Sequence, residues 1–536
     1  MTLARVPDEI YAVLADLDRP CFVVDREGMA VTGDERAARA AGSRVLAAAP
    51  PVAPDRLGSA SFRRDHGVRH AYMAGAMANG IASVPLVTAM ARAGFLASYG
   101  AASNAPATVD AALADISRQA GGAPFACNLI HSPSEPALER STVDLCLRHG
   151  VRCVEASAFL DLTPQIVRYR VLGLRRGPDG AVRTGHRVIA KVSRAEVAER
   201  FIRPAPEPIL HDLVAAGEIT AEQADLARRV PMADDVTAEA DSGGHTDRRP
   251  LAVLLPELLR VRDALQAELR YRHPVRVGAA GGIGTPEAAF AAFALGAAYV
   301  VTGSINQAAV ESGQSPAVKR LLAAADVTDC EMAPSSDMFE LGVDVQVLKR
   351  GTMFPGRAKK LYELYRACGG IDDIPSAQRA ELETRIFRRP LDEVWRDTVD
   401  YFSDRDPAQI ERAEGDPKRR MALVFRWYLG LSSRWSMAGE AGRAPDYQVW
   451  CGPAMGAFNS WAAGSRLAPV ENRHVAELAA QIMRGAAFHS RVAGLRFAGV
   501  RLPARGTAYR PVPASDPASD PVSGPESAAV LEGSPR

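Results

Sequence analysis

The sequence has little cysteine, no long apolar run and no excess of charge of either sign. Its seven cysteines are scattered over 536 residues, odd in number and without a Cys-x-x-Cys pair. This pattern argues against a disulfide framework and a structural zinc site, and it suits a reducing cytoplasm. The 64 Lys and Arg residues balance 63 Asp and Glu residues to a formal charge of +1. We therefore expect a cytoplasmic protein that binds neither nucleic acid nor a membrane surface.

Several sequence signals are also missing. The most apolar stretch, Ala288 to Val301, is shorter than the roughly 20 residues of a membrane span, and Gly296 divides it. Acidic residues interrupt the apolar runs of the N-terminus, which is atypical of a signal peptide. There is no G-x-S-x-G, no Walker sequence and no His/Cys cluster with ligand spacing. We accordingly expect no bound metal, no serine nucleophile and no nucleoside triphosphate site.

What the sequence does contain is a regular alternation between about Arg69 and Ala325. Short apolar runs each lead into a polar or Gly-rich turn and then into a helical pattern. Apolar strands alternating with helices indicate a parallel sheet covered on both faces, and eight such units in about 250 residues predict an α/β fold of the (β/α)₈ TIM-barrel type. The eight runs are AYMAGAM, FLASYGA, PFACNLI, RCVEASA, RVIAKVS, DVTAEAD, VRVGAAGG and AYVVTGS.

The rest of the chain predicts additions to this barrel. A helix pair inserted in the fifth unit is expected between Phe201 and Met232, with Thr220 capping its second helix. Helical spacing of apolar residues indicates an all-helical domain after the barrel. The predicted units are an N-terminal helix and hairpin segment (1–60), the barrel (61–354), the helical domain (355–500) and a disordered Pro/Ser-rich tail (501–536).

In a barrel of this type the site forms at the carboxyl ends of the strands. The seventh and eighth units end in Gly278–Ala288 and Val300–Gln307, each placing small residues between a strand and a helix. Free backbone N–H groups in such loops bind phosphate, and Thr302 or Ser304 could add a hydroxyl. The glycines could instead serve tight turns alone. Two such loops in this position favour the phosphate interpretation.

Polar residues at other strand ends point to a planar ligand. Asn79 and Gly80 follow the first strand among small residues that would let a flat ring lie on the backbone, although a simple turn explains them equally well. Asn128, Glu155 and Lys191 each interrupt an apolar run. Glu155 and Lys191 could form a structural ion pair, or all three could bind a ligand's polar edge. A phosphate site beside such a ring shelf indicates flavin mononucleotide (FMN).

His245 follows two glycines at the end of the sixth strand, which predicts an exposed loop over the barrel mouth. Its near-neutral pKa suits proton transfer. A structural or surface histidine is the alternative interpretation. Asp241 could orient the imidazole or cap the next turn.

Three stretches resemble the superfamily of nitronate monooxygenases and FMN-dependent enoyl reductases: MANGIAS, GGHT and AAGGIGTPEAAFAAFALGAAYVVTGS. VPMADDVTAEADSGGHTD, MAPSSDMFELGVDVQVLKRGTMFPG and DYQVWCGPAMGAFN are closer to one branch, the PfaD-type trans-acting enoyl reductases of polyunsaturated fatty acid and polyketide synthases. The resemblance covers about residues 60 to 500. It implies an FMN enzyme that passes hydride from NADPH or NADH to an α,β-unsaturated thioester on an acyl carrier protein.

The resemblance also implies roles for individual residues. His245 matches the superfamily's active-site histidine, and Lys191 would stabilise charge at the flavin's pyrimidine edge. The surrounding AEADSGGHTD departs from the E-A-G-G-H form of the nitronate enzymes at Asp241 and Ser242. His245 is thus a proton donor, a substrate-orienting group or a wall residue. The implied flavin-binding positions are Met77, Asn79, Gly80, Asn128, Lys191, Gly281, Gly282, Thr302, Gly303 and Ser304, to which the strand-end pattern adds Glu155.

The expected partners are an acyl carrier protein bearing the enoyl thioester and the modules of a polyketide or fatty acid synthase, with a homodimer as one candidate assembly. Basic clusters such as Lys359 and Lys360 or Lys418 to Arg420 could dock an acidic carrier protein. Ordinary charged helix faces are the alternative. Two other functions stay open at this point: a nitronate monooxygenase-like oxidase, and a flavin-binding scaffold subunit without turnover.

Overall fold

The N-terminal segment forms a small antiparallel sheet beside a helix. The computed structural model describes residues 3–131, 136–403 and 406–511. The predicted disordered tail (501–536) lies outside these residues from position 512 onward. Its first part is ordered, contrary to the prediction, because Tyr509 is buried and its hydroxyl donates to Gln481 in the last helix. The sheet has the strand order β2-β1-β3, and the turn of its hairpin falls at Asp25–Met29. Its elements are α1 (Pro7–Ala15), β1 (Cys21–Asp25), β2 (Met29–Thr32), α2 (Glu35–Ala38) and β3 (Arg44–Ala49).

A closed eight-stranded parallel barrel forms the centre of the molecule, with strand order β4-β5-β6-β7-β10-β11-β13-β14. Each of the eight apolar runs supplies one strand, which confirms the predicted (β/α)₈ fold. In chain order this region contains α3 (Ala60–His66), β4 (Tyr72–Ala74), α4 (Val84–Arg92), β5 (Leu96–Tyr99), α5 (Pro106–Gln119), β6 (Ala126–Ile130), α6 (Pro136–Arg148), β7 (Cys153–Ser157), α7 (Pro164–Leu172), β8 (Leu174–Arg176), β9 (Val182–Thr184), β10 (Arg187–Val192), α8 (Ala195–Ile202), α9 (Glu207–Ala215), α10 (Ala221–Ala227), β11 (Asp235–Glu239), β12 (Gly244–His245), α11 (Leu251–Leu269), β13 (Arg276–Ala280), α12 (Pro286–Ala294), β14 (Val300–Thr302), α13 (Ser304–Gln307) and α14 (Pro316–Ala323).

The inserted helix pair consists of α9 and α10. The Thr220 side chain accepts a hydrogen bond from the Gln223 N–H, and the Gln223 side chain accepts one from the Thr220 N–H. This reciprocal capping box satisfies two backbone donors at the start of α10. The capping residue predicted from the sequence is confirmed.

After the barrel, a hairpin crosses its open end and a helical region follows. β12 pairs antiparallel with β16, giving a three-stranded cap sheet of order β12-β16-β15. No helix in the described ranges is long and apolar enough to cross a bilayer. The elements are β15 (Cys330–Pro334), β16 (Asp344–Leu348), α15 (Phe354–Ala367), α16 (Ser376–Glu381), a π-turn at Leu382–Ile386, α17 (Leu391–Ser403), α18 (Pro407–Glu414), α19 (Pro417–Ala438), α20 (Ala454–Ala462) and α21 (Val475–Phe497).

The helical region and the barrel share one hydrophobic core. A single cluster of buried side chains extends from Tyr72 in β4 to Ala486 in α21. The other end of α21 packs on the N-terminal segment through Phe488 and Val492. There the buried Arg491 guanidinium donates to backbone carbonyls of that segment, including those of Asp16 and Arg19. These contacts fix both additions to the barrel.

The amino-terminal end of the barrel is closed by a buried ion network. Asp235 at the start of β11 is fully buried and accepts hydrogen bonds from Arg276 Nε (2.5 Å) and Nη2 (2.9 Å), while His66 Nε2 lies 2.7 Å from its Oδ2. Arg276 also donates to Asp65. Burial alone would raise the pKa of Asp235, but Arg276 and His66 outweigh it and hold that pKa below its ordinary value.

Replacing Asp235 with Asn is expected to lower the free energy of unfolding by about 3–5 kcal/mol, because it leaves the Arg276 charge buried without its main partner. Urea denaturation followed by circular dichroism measures this loss. Asp179→Asn, which removes an exposed partner of Arg183 and Arg272, is the matched control and should cost far less, because exposed ion pairs contribute little to stability. The Asp235 contribution is present above about pH 4 and is lost only as the pH falls toward its depressed folded-state pKa. Equal costs for the two variants would contradict this prediction.

Candidate functional site

A cavity opens at the carboxyl ends of the barrel strands and is covered on one side by the cap sheet and by residues 448–454. It is the place where the sequence predicted a site. Nine predicted residues line it: Met77, Asn128, Lys191, His245, Gly281, Gly282, Thr302, Gly303 and Ser304. Asn79, Gly80 and Glu155 do not line it.

A charge cluster lies on the wall formed by β7, β10 and β11. Lys191 Nζ is 3.1 Å from Glu239 Oε1 and 4.0 Å from Glu155 Oε1. Burial lowers the pKa of Lys191, but the two carboxylates outweigh it and raise that pKa above its ordinary value. The ammonium is therefore charged at neutral pH and lines the cavity as a fixed cation. The predicted Glu155–Lys191 pair exists, and Glu239 is the nearer partner.

Glu155 supports the cavity from behind. It is fully buried, and its Oε2 accepts a 2.7 Å hydrogen bond from the Ala76 N–H in the loop after β4. Burial raises the pKa of Glu155, while Lys191 and this N–H oppose the rise. The neighbouring Asn128 amide donates to the Glu155 carbonyl and to Ser157 Oγ. Glu155 thus fixes the first loop instead of contacting the cavity.

Glycine-rich turns after β13 and β14 form the other wall. Gly281 has φ +85°, and a Cβ there would lie 2.6 Å from the Ala240 carbonyl carbon. A larger residue at that position would displace the adjacent loop. A Cβ on Gly303 would meet no protein atom within 4 Å, since this residue borders the cavity. Backbone exposed in this way can bind an anionic group such as phosphate.

The two hydroxyls predicted to assist this wall have different environments. Thr302 Oγ1 is 2.6 Å from Tyr72 Oη and accepts a hydrogen bond from the Asn306 amide, so it is already engaged inside the barrel. Ser304 Oγ accepts a 3.0 Å hydrogen bond from the Gly452 N–H. The hydroxyl hydrogen of Ser304 can still be donated to a ligand.

Asn79 and Gly80 form a turn behind the lining residue Met77. Both have positive φ, 59° and 72°. The Gly80 N–H donates to the Gly100 carbonyl, and the Asn79 amide donates to Ser433 in α19. Of the two interpretations that the sequence left open, these contacts fit the simple turn, which they hold against α19. The flavin-binding role of the two residues stays a prediction.

His245 lies on β12 and lines the cavity, with its side chain 34% exposed, instead of projecting from a free loop. Its Nε2 is 3.3 Å from Asp337 Oδ1 in the turn between β15 and β16. Burial lowers the pKa of His245, but Asp337 and the more distant Glu239 outweigh it and raise that pKa above its ordinary value. The imidazole is accordingly held toward its protonated form.

Asp241 does not orient His245. Its Oδ1 accepts a 2.9 Å hydrogen bond from the buried Gln346 amide, which also donates to the Ser242 carbonyl. Gln346 therefore fixes the loop that leads into β12. The carboxylate beside the imidazole comes from Asp337, a residue far away in the sequence.

Residues of the helical region complete the site. The backbone at Cys451 and Gly452 crosses Gly243 so closely that a Cβ on either glycine would lie 2.9 Å from a backbone nitrogen of the opposite segment. Gln448 and Trp450, on the same segment, line the cavity. Gln448, Trp450, Asp337 and Glu239 were not among the site residues predicted from the sequence. Only Glu239 carried a visible signal, because it is a charged residue within the sixth apolar run, as Lys191 is within the fifth.

Most side chains of the basic clusters in the helical region have partners within the protein. Arg357 and Arg388 pair with the buried Asp446, and Lys418 donates to backbone carbonyls. These pairs favour ordinary charged helix faces over a free docking patch. Further members of the clusters and their partners are Arg350 with Asp329, Lys359 with Glu331, Lys360 with Glu381, Arg389 with Asp397, Arg419 with Gln409 and Arg420 with Asp392.

The chain is similar to synthase components of known sequence. It is 48% identical over 496 residues to a polyunsaturated fatty acid synthase subunit of Thraustochytrium sp., covering 91% of this chain and 33% of that protein. It is 46% identical over 433 residues to polyketide biosynthesis protein PksE of Bacillus subtilis, covering 81% of this chain and 56% of that protein. The chain thus spans only part of the length of the curated relatives it matches.

A solved structure and a family model add to these similarities. The enoyl reductase domain of MlnA from the macrolactin cluster of Bacillus amyloliquefaciens is 35% identical, with a TM-score of 0.79, over 83% of this chain and 100% of that one. The model for the inserted helical domain of [acyl-carrier-protein] S-malonyltransferase matches residues 368–447. That match lies within the helical region.

Proposed function

The chain belongs to the family of the MlnA enoyl reductase domain, and on this basis we propose that it is an FMN-dependent enoyl reductase. It acts in trans in polyketide or polyunsaturated fatty acid biosynthesis, within the cytoplasm. Its substrate is an α,β-unsaturated thioester on an acyl carrier protein, and NADPH or NADH supplies the hydride. The observation that carries the proposal is that three features line one cavity. They are the glycine-rich turns after β13 and β14 (the glycine cradle: Gly281, Gly282 and Gly303), the charged Lys191 and the protonatable His245.

The residues present fit FMN. The open backbone at Gly282 and Gly303, with the Ser304 hydroxyl, suits its phosphate, and the small residues around Met77 suit its ring. Lys191 supplies positive charge at a wall of the cavity, where it stabilises negative charge on a bound ring. Bound FMN supplies hydride transfer between the nicotinamide and the enoyl group.

The chain's own residues supply orientation and the proton. Lys191 keeps its charge because Glu239 and Glu155 offset its burial. His245 holds a proton at the cavity wall and donates it to the α-carbon of the enoyl thioester. The cap sheet and Trp450 cover the cavity and limit access of water.

The partners we propose follow from the same assignment. The enoyl thioester arrives on an acyl carrier protein of a polyketide or fatty acid synthase. The match of residues 368–447 to a domain of an acyl-carrier-protein transferase supports a carrier protein as the partner. This support does not depend on a free basic patch, since most basic side chains of that region have partners within the protein.

Gly303→Ala is expected to weaken FMN binding by about tenfold or more without lowering stability. The added methyl group meets no protein atom but enters the space assigned to the phosphate, and about 1.4 kcal/mol of lost contact corresponds to tenfold. Flavin fluorescence quenching on titrating the apoprotein measures the dissociation constant. Gly356→Ala, a helical position with equally open surroundings, is the control. Unchanged affinity in Gly303→Ala would place the phosphate elsewhere.

Steady-state turnover tests the proposed function. The purified protein, loaded with FMN, is incubated with NADPH or NADH and an enoyl thioester on a carrier protein. Mass spectrometry then measures the mass of the acyl chain. The expected result is a gain of two hydrogen masses that depends on both the nicotinamide and FMN. NADPH or NADH consumption that requires oxygen and leaves the acyl mass unchanged would refute it.

A further inference from the structure

The turn between β15 and β16 places a carboxylate over the imidazole. Residues Ser335 to Asp337 of this turn line the cavity together with His245. β12, which carries His245, is hydrogen bonded to β16, so the histidine and the turn belong to one small sheet. The strand pairing therefore brings the connecting segment beside His245, and Asp337 Oδ1 lies 3.3 Å from His245 Nε2.

The charged groups around the imidazole come from three elements. Asp337 faces it from the cap, Glu239 from the end of β11 and Lys191 from β10. Lys191 favours the neutral ring, while the two carboxylates favour the charged one. Lys191 is itself bound at 3.1 Å to Glu239, so these two charges largely cancel at the ring. The carboxylate that decides the protonation of His245 is then Asp337.

We propose that Asp337 is the positioning residue of the acid: its carboxylate pairs with the Nε2 side of the His245 ring and keeps the ring protonated and oriented for proton delivery. This inference rests on the proposed enoyl reductase function and adds to it the source of the proton. With the Asp337 carboxylate on the Nε2 side of the ring, the transferable proton is the one on Nδ1.

Reduction of the enoyl thioester consumes one hydride and one proton. Hydride adds to the β-carbon of the enoyl thioester, and the α-carbon takes the Nδ1 proton as the carbon–carbon double bond becomes single. The imidazolium becomes a neutral imidazole beside the Asp337 carboxylate. A proton from solvent then restores it before the next turnover.

The direct test is the titration of His245 itself, followed by NMR in FMN-loaded protein labelled at its histidines. The His245 signal is assigned as the one missing from His245→Asn. In Asp337→Asn its proton affinity is expected to fall at least tenfold, which is about one pH unit. Asp337→Ser, which removes the carboxylate with a smaller side chain, should give the same shift. Glu340→Gln, which removes a carboxylate of the same cap that pairs with Arg426, should give none.

Turnover supplies the second readout. Asp337→Asn should slow enoyl reduction about tenfold at pH 8 and progressively less toward pH 6, while reduction of the flavin by NADPH keeps its rate. An unshifted His245 titration, or a slowing equal at every pH, would overturn the role of Asp337. If the wild-type protein does not reduce the enoyl thioester at all, the proposed function fails, but the titration still decides whether Asp337 controls His245.

Discussion

His245→Ala is expected to slow reduction of the enoyl thioester by about 10² to 10⁴-fold, the usual contribution of a positioned general acid, while FMN stays bound. We expect FMN to stay bound because His245 lines the cavity but lies outside the glycine cradle and outside the wall that carries Lys191. Only the step that consumes a proton at the α-carbon loses its donor. Single-turnover kinetics of the two half-reactions measure this effect separately.

The pH dependence of enoyl reduction by the wild-type protein tests the same role of His245. The pKa of His245 is raised above its ordinary value, and the proton donor we propose acts in its protonated form. The rate of enoyl reduction is therefore full below that pKa and falls as the pH rises through it. His211→Ala, at an exposed histidine of α9, is the control and should behave as wild type. Wild-type turnover in His245→Ala would make His245 a wall residue.

Lys191→Met is expected to slow reduction of the flavin by NADPH about 10² to 10³-fold, the usual cost of removing one preorganised charge that stabilises a developing anion. The substitution also leaves Glu239 and Glu155 without the cation between them. The loss of positive charge and the remaining negative charge both disfavour electron density on the bound ring. Anaerobic stopped-flow absorbance at the flavin maximum gives the rate.

The control for this variant is Lys359→Met, which removes a partly exposed partner of Glu331 outside the cavity. It should reduce the flavin at the wild-type rate. The flavin midpoint potential of Lys191→Met is expected to fall as well, because its reduced form loses stabilisation. If Lys191→Met keeps both the wild-type rate and the wild-type potential, Lys191 is only a structural partner of Glu239.

The barrel could be predicted because its information is local. Each strand is a short apolar run, each run leads into a helix, and the order of the chain fixes which strands become neighbours. Residues at the ends of those runs, such as Lys191 and His245, follow directly from the rule that sites form at the carboxyl ends of barrel strands. The same rule predicted that Gly281 and Gly303 would lie at the cavity.

The cap and its contribution to the site could not be predicted in the same way. Asp337 meets His245 only because β16 pairs with β12, and no periodicity in the sequence signals pairing with a two-residue strand. Trp450 reaches the cavity through a backbone crossing at Gly243, which depends on long-range packing. Asn79 shows a second limit of the strand-end rule. It is a polar residue at a strand end, but its side chain donates to Ser433 and does not line the cavity.

In the proposed reaction hydride passes from a nicotinamide through the flavin to an enoyl thioester, and an anaerobic titration follows both transfers. The FMN-loaded protein is reduced with one equivalent of NADPH, and an enoyl thioester on a carrier protein is then added. We expect the oxidised flavin absorbance to be lost on adding NADPH and then to return with formation of one equivalent of saturated thioester. A flavin that NADPH does not reduce, or that only oxygen reoxidises, would contradict it.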